Sequence, residues 1–155
     1  MKFRFSQLAF LLALILLITG CDKDDDLVPG NIREQLVAKK WKRISIVSTD
    51  SAGTETDLYT PLAEFQKDDY LLFNADSTYE LNDNFTLRAD TVTRIVDAGK
   101  WELVENNTAI RMYSNIFLTW YEPLSILTLN EQTLEVKADF ASDRSSVKTV
   151  YQRID

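Results

Sequence analysis

Leu134-Glu135-Val136-Lys137-Ala138-Asp139-Phe140 alternates apolar and charged residues without a fault. Successive side chains of a β-strand point to opposite faces, so Leu134, Val136, Ala138 and Phe140 make one apolar face and the three charged residues a solvated one. On a helix the same four residues would scatter around the axis. Outward from this segment the period of two recurs. It predicts strands over Trp41–Ser48, Tyr70–Phe73, Thr78–Leu81, Phe85–Arg88 and Thr91–Val96, and then over Lys100–Val104, Ala109–Tyr113, Ile116–Tyr121, Leu124–Leu129 and Val147–Ile154. Polar breaks separate them: Asp50–Thr56 around Gly53, the four-residue turn Asn74-Ala75-Asp76-Ser77, and Asn106-Asn107. Gly99 is expected to open the Lys100–Val104 strand, and Pro61–Asp68 to be a brief helical or irregular connection. One short helix is predicted ahead of the strands, through about Lys39, with Asn31 as N-cap, Glu34 reaching back to it, and Ile32 and Leu36 on one face. Many short strands, no long helix and polar turns describe an all-β antiparallel barrel or sandwich, a single domain over residues 31–155.

The 155 residues include 17 Lys plus Arg, 24 Asp plus Glu, one Cys and no His. A net charge of −7 argues against nucleic acid as a partner, since phosphate binding needs a basic footprint. Without His, a Ser-His-Asp triad, a Cys-His pair and any His-containing zinc site are excluded. A single Cys allows no intrachain disulfide, so the fold depends on its core. No metal ligand set, cofactor motif or catalytic constellation is apparent, and the chain reads as a non-enzyme. The D-x-D-x-D spacing of Asp22, Asp24 and Asp26 fails as a calcium loop, because Leu27 and Arg33 occupy the positions that need Gly and Glu. Asp68 and Asp69, read as neighbours on a strand, point to opposite faces and make no acid/base dyad.

The N-terminal region is an address. Lys2 and Arg4 precede an unbroken apolar run of 11 residues, Leu8–Ile18. At about 1.5 Å per residue a helix of that length falls well short of the roughly 30 Å hydrocarbon core, which marks a secretory signal rather than a membrane span. The run ends in Leu17-Ile18-Thr19-Gly20-Cys21, which resembles the lipobox of bacterial lipoproteins. The resemblance implies cleavage after residue 20, diacylglycerol on the Cys21 sulfur and an acylated, palmitate-type N-terminus. Removing residues 1–20 removes Lys2 and Arg4 and no acid, so 17 − 2 = 15 basic residues face 24 acidic ones and the net charge becomes −9. Residues 21–30 then form an acidic, self-repelling tether. Within it, Lys23 followed by Asp24-Asp25-Asp26 resembles the surface-export signal of Bacteroidetes lipoproteins. That implies an outer-membrane location, lipid-anchored and facing the cell surface, the periplasmic face being the alternative.

The body of the chain carries a second resemblance. A short helix leading into Lys39-x-Trp41, then Asp68-Asp69-Tyr70-Leu71-x-Phe73-Asn74-x-Asp76-x-Thr78-Tyr79, then Gly99-Lys100-Trp101-x-Leu103, is similar to the lipocalin-like domains of Bacteroidetes lipoproteins. Lys39 stands where lipocalins have the Gly of their G-x-W motif. The resemblance implies an up-and-down barrel of about eight strands whose interior holds a small hydrophobic ligand. Candidate cavity residues are Trp41, Tyr70, Leu72, Tyr79, Trp101, Leu103, Met112 and Trp120. The apolar pairs Trp101/Leu103, Ile110/Met112 and Leu134/Val136 are expected to meet inside. The same aromatics could fill the barrel outright, which would leave a surface-displayed interaction module with a protein partner that the sequence does not identify. Ser51, Ser77 and Thr91 lie in Asp-Ser/Thr-apolar triplets resembling the O-glycan acceptor of the same bacteria, although Asp-Ser in turns has its own backbone reason.

Overall fold

The computed structural model describes residues 32–83 and 94–155. Helix α1 (Ile32–Leu36) precedes strands β1 (Lys40–Thr49) and β2 (Glu55–Asp57), and helix α2 (Glu64–Lys67) follows them. Then come β3 (Tyr70–Phe73), β4 (Thr78–Asp83), β5 (Arg94–Val104), β6 (Ala109–Ser114), β7 (Thr119–Trp120), β8 (Leu124–Leu129), β9 (Thr133–Phe140) and β10 (Ser145–Ile154). Every strand pairing is antiparallel. The order β1-β3-β4-β5-β6-β8-β9-β10 closes on itself, because β10 also pairs with β1 from Lys40↔Ile154 to Thr49↔Ser146. Eight strands therefore make a closed up-and-down barrel, with β2 on the flank of β1 and β7 on that of β6. Closure leaves the eight ring strands no free edge. Bulges at Arg43/Ser45, Leu81/Asn82 and Ile126/Thr128 supply the bending that closure needs.

The alternation in the sequence maps onto inside and outside. Leu134, Val136 and Ala138 are buried, whereas Glu135, Lys137 and Asp139 face out, with Lys148 and Lys137 pairing Glu135 and Asp139. The β3–β4 turn is Asn74–Ser77 as expected. Three segments differ from the expectation, while the turn expected at Asn106-Asn107 is present and begins one residue earlier, at Glu105. In that turn three successive residues with positive φ (Glu105 53°, Asn106 58°, Asn107 71°) reverse the chain between β5 and β6. The first helix stops at Leu36, and Val37 then bridges to Phe73. The Ile116–Tyr121 segment pairs only through Thr119 and Trp120, because residues 116–118 turn outward. Finally, β5 runs unbroken through Gly99. Gly99 is there for space, since a Cβ on it would lie 1.8 Å from the Tyr113 carbonyl oxygen across the ladder. The expected strand Phe85–Arg88 lies outside the described residues.

One end of the barrel is plugged. Ile32 and Leu36 of α1 are fully buried against Trp41, Phe73 and Trp101. The Trp41 indole donates to the Leu36 carbonyl at 3.1 Å and the Trp101 indole to the Asn74 carbonyl at 3.1 Å, so both rings are buried with their N–H satisfied. Arg33 straps the helix down. Its guanidinium donates to Ala75 O and Ser77 Oγ, both at 2.9 Å, and lies 4.6 Å from the Trp101 ring centre. Leu71, Ile110, Ile126, Leu129, Leu134 and Val136 complete the core. Each such side chain contributes about 1.5–3 kcal/mol by leaving water.

Candidate functional site

On four of the strands that contribute to it, the interior beyond the core changes character. Moving away from α1, Tyr79 is followed by Leu81 on β4, Trp101 by Asp97 on β5, Ile110 by Met112 on β6, and Val136 by Ala138 and Phe140 on β9. Between them lies a cavity of about 310 Å³ that opens to solvent. Its apolar wall is Leu81, Met112, Leu124, Ala138 and Phe140; Tyr79, Tyr121 and Tyr151 add phenols, and Asp97 and Glu122 add acids. The size is that of a small-molecule pocket, apolar with a few convergent polar groups.

Asp97 organises the polar side of this wall. Its Oδ2 accepts hydrogen bonds from the Tyr79 hydroxyl at 2.7 Å and the Tyr121 hydroxyl at 2.8 Å. Its Oδ1 accepts from Ser114 Oγ at 2.5 Å and from the Ala98 N–H at 2.9 Å. Ser114 Oγ in turn accepts from the Phe117 N–H at 2.9 Å. Burial pushes the Asp97 carboxyl pKa up, but the hydrogen bonds from Ser114, Tyr79, Tyr121 and Ala98 outweigh it and hold the group below the ordinary carboxylate value. Burial, and then donation to this anion, raises the Tyr79 and Tyr121 hydroxyls. Burial likewise raises Tyr151. Asp97 is therefore a buried anion with all four acceptor directions filled, on the wall of an apolar cavity.

A second group of acids lies on the β3–β4 side. One carboxylate oxygen each from Asp68, Asp69 and Asp83 falls within 4.8 Å of the others. Strand alternation does not keep Asp68 and Asp69 apart, contrary to the expectation. Asp68 is the C-cap of α2 with helical φ/ψ (−93°, −5°), so the two carboxylates converge. Desolvation, with Asp83 and Asp68 adding repulsion and Arg43 partly offsetting them, lifts Asp69 to about 6. Asp69 Oδ1 and Arg43 Nε are both sealed from solvent and have no hydrogen-bond partner among the described residues.

Of the eight residues expected to line a cavity, Tyr79 and Met112 do so. Trp41 and Trp101 instead fill the plugged half, and Leu103 packs against that core. Tyr70 and Leu72 are half-buried on β3, with the Lys40 ammonium 5.3 Å from the Tyr70 ring. Trp120 stands outside the barrel, 52% exposed, 5.2 Å from Tyr113 and under the Arg111 guanidinium at 4.7 Å. The reason is that β7 pairs with the outer end of β6 rather than taking a place in the ring. Ser51 lies in the exposed turn after β1, where Asp50 Oδ1 accepts from the Ala52 and Thr54 N–H groups. The Ser77 hydroxyl is held by Arg33, and its neighbour Asp76 accepts from the Thr78 N–H and hydroxyl. Cys21, the tether and Thr91 lie outside the described residues, among which no helix is long and apolar enough to cross a membrane. No protein-family model matches the chain, and no curated protein matches it.

Sequence reasoning missed Asp97 and Ser114. One signal was available. Asp97, Gly99, Trp101 and Leu103 share a strand face by period two, so a lone carboxylate sits on a core-facing register.

Proposed function

We propose that this protein is a non-catalytic bacterial lipoprotein, anchored through Cys21 to the outer membrane, whose barrel binds a small hydrophobic molecule. The observation that carries binding is the apolar cavity of about 310 Å³ in a barrel whose other half is occupied by a cluster of buried side chains. A chain that needed only a stable scaffold would gain by filling that space, at about 25 cal/mol per Å² of apolar surface covered. The likeness of its helix-K-x-W and G-K-W segments to lipocalin-like domains supports the same reading, and so does the closed eight-stranded barrel. The lipobox supports the anchor, because two or three acyl chains at about 0.8 kcal/mol per buried CH₂ hold a protein at a membrane permanently. In the sequence the tether precedes α1, the helix at the plugged end, and the cavity lies in the other half. Lys23 and Asp24–Asp26 support display on the cell surface.

A second reading, a surface-displayed interaction module, draws on the outward turn Ile116-Phe117-Leu118 and on Trp120, all more than half exposed. The two readings separate in a thermal-shift screen of the full chain against fatty acids, sterols, quinones, haem and small aromatic compounds. Binding should raise Tm by mass action, and Ala138→Trp, which fills the cavity, should abolish the rise. No shift with any compound would leave the interaction module.

A further inference from the structure

We propose that the molecule this cavity takes is an organic cation, an alkylated ammonium on an apolar body, drawn by the uncompensated charge of Asp97 and enclosed by Tyr79, Tyr121 and Tyr151. The inference rests on the cavity being a binding site and names the chemical class of its ligand.

Among the described residues no Lys or Arg pairs with Asp97, and neither residue type lines the cavity. Four neutral donors hold this carboxylate ionised, but they do not cancel its charge. Without a counter-ion among the described residues, this buried anion sets up a negative potential in the space beside it, and low-dielectric walls strengthen that potential. Glu122, exposed at the rim, adds to it. A fatty acid would bring a second anion into this field, which disfavours it. A neutral ligand would leave the field unused.

The saturation of Asp97 narrows the class further. Its acceptor directions are all taken, so it has no free lone pair for the N–H of a primary ammonium. What it offers is charge, together with phenol oxygens made electron-rich by donating to it and several aromatic rings around the same space. Charge and aromatic surface without hydrogen bonding is how proteins recognise alkylated ammonium groups. Leu81, Leu124, Ala138 and Phe140 then cover the apolar remainder of the ligand.

The test compares two molecules of one shape. The full chain is titrated with phenyltrimethylammonium and with its neutral carbon isostere, tert-butylbenzene, while the Met112 methyl resonance on the cavity wall is followed. The cation should bind at least tenfold more tightly. Asp97→Asn should erase that preference while retaining the binding of the neutral isostere. Glu122→Gln, at the exposed rim and outside the buried network, should weaken the cation alone, by about two- to threefold. It serves as the variant should Asp97→Asn fail to fold. Equal or tighter binding of tert-butylbenzene to the native chain overturns the cation assignment and leaves the binding reading intact. Saturable binding of neither molecule, nor of any other compound in the screen, overturns both.

Discussion

The Tyr79 hydroxyl on β4 donates a 2.7 Å hydrogen bond to the Asp97 carboxylate on the neighbouring strand β5. That bond joins the two halves of the barrel interior, since Tyr79 belongs both to the buried core and to the cavity wall. Tyr79→Phe leaves the ring and removes the donor, at a cost of about 1–3 kcal/mol for a buried acceptor that loses a partner. The pH dependence has a definite sign. The folded Asp97 pKa lies below its unfolded value, so its stabilising effect is fully present above about pH 4 and is lost as pH falls through the folded value. In Tyr79→Phe the folded value should rise, and acid unfolding followed by circular dichroism should begin at higher pH.

Asp69 should act in the opposite sense. Its folded value of about 6 exceeds the ordinary 3.8, so the native state holds more protons between the two. Stability should therefore fall as pH rises from about 4 through 6. Asp69→Asn should flatten that decline and raise stability at pH 7.5 by about 1 kcal/mol, after allowance for solvent screening. Denaturant midpoints at pH 4.5 and 7.5 measure this directly.

Gly99→Ala puts a methyl group 1.8 Å from the Tyr113 carbonyl oxygen, which is backbone and cannot swing aside. The β5–β6 ladder must part locally, and a loss of about 2–4 kcal/mol is expected. The Thr→Ser change at Thr119, on the outer strand β7, should by comparison leave Tm within experimental error.

Cys21→Ser removes the only thiol. It should abolish detergent-phase partitioning and leave the precursor uncleaved or the product soluble. Ala at Lys23 and at Asp24–Asp26 should keep the protein anchored but shield it from protease added to intact cells. Retention of Cys21→Ser in the detergent phase after signal removal would refute the anchor, and unchanged protease access in the tether variant would refute surface display.

Much of the fold was legible because strand alternation is written locally. The run from Leu134 to Phe140 shows its buried face directly, and Asn74–Ser77 marks its turn. The site was less legible, because a cavity is what the core fails to fill, a property of all eight strands together. Trp41 and Trp101 have the composition of a ligand wall, yet α1 and the β3–β4 turn accept their indole N–H groups and draw them into the plug. Trp120 is lost to the interior through a pairing choice, β7 on the flank of β6, that no local pattern reveals. Asp97 announced itself only by its register. Asp68 and Asp69 converge because a helix cap replaces strand geometry at Asp68.

The central claim is that the space among Leu81, Met112 and Ala138 is a binding site. The chain has two methionines, Met1 and Met112, so methyl labelling of methionine yields one resonance from the cavity wall. Titration of the full chain with small apolar and cationic aromatic molecules should move the Met112 resonance saturably, leave Met1 unaffected, and have no effect in Ala138→Trp. A Met112 resonance that stays fixed with every compound, or moves identically in Ala138→Trp, would contradict it.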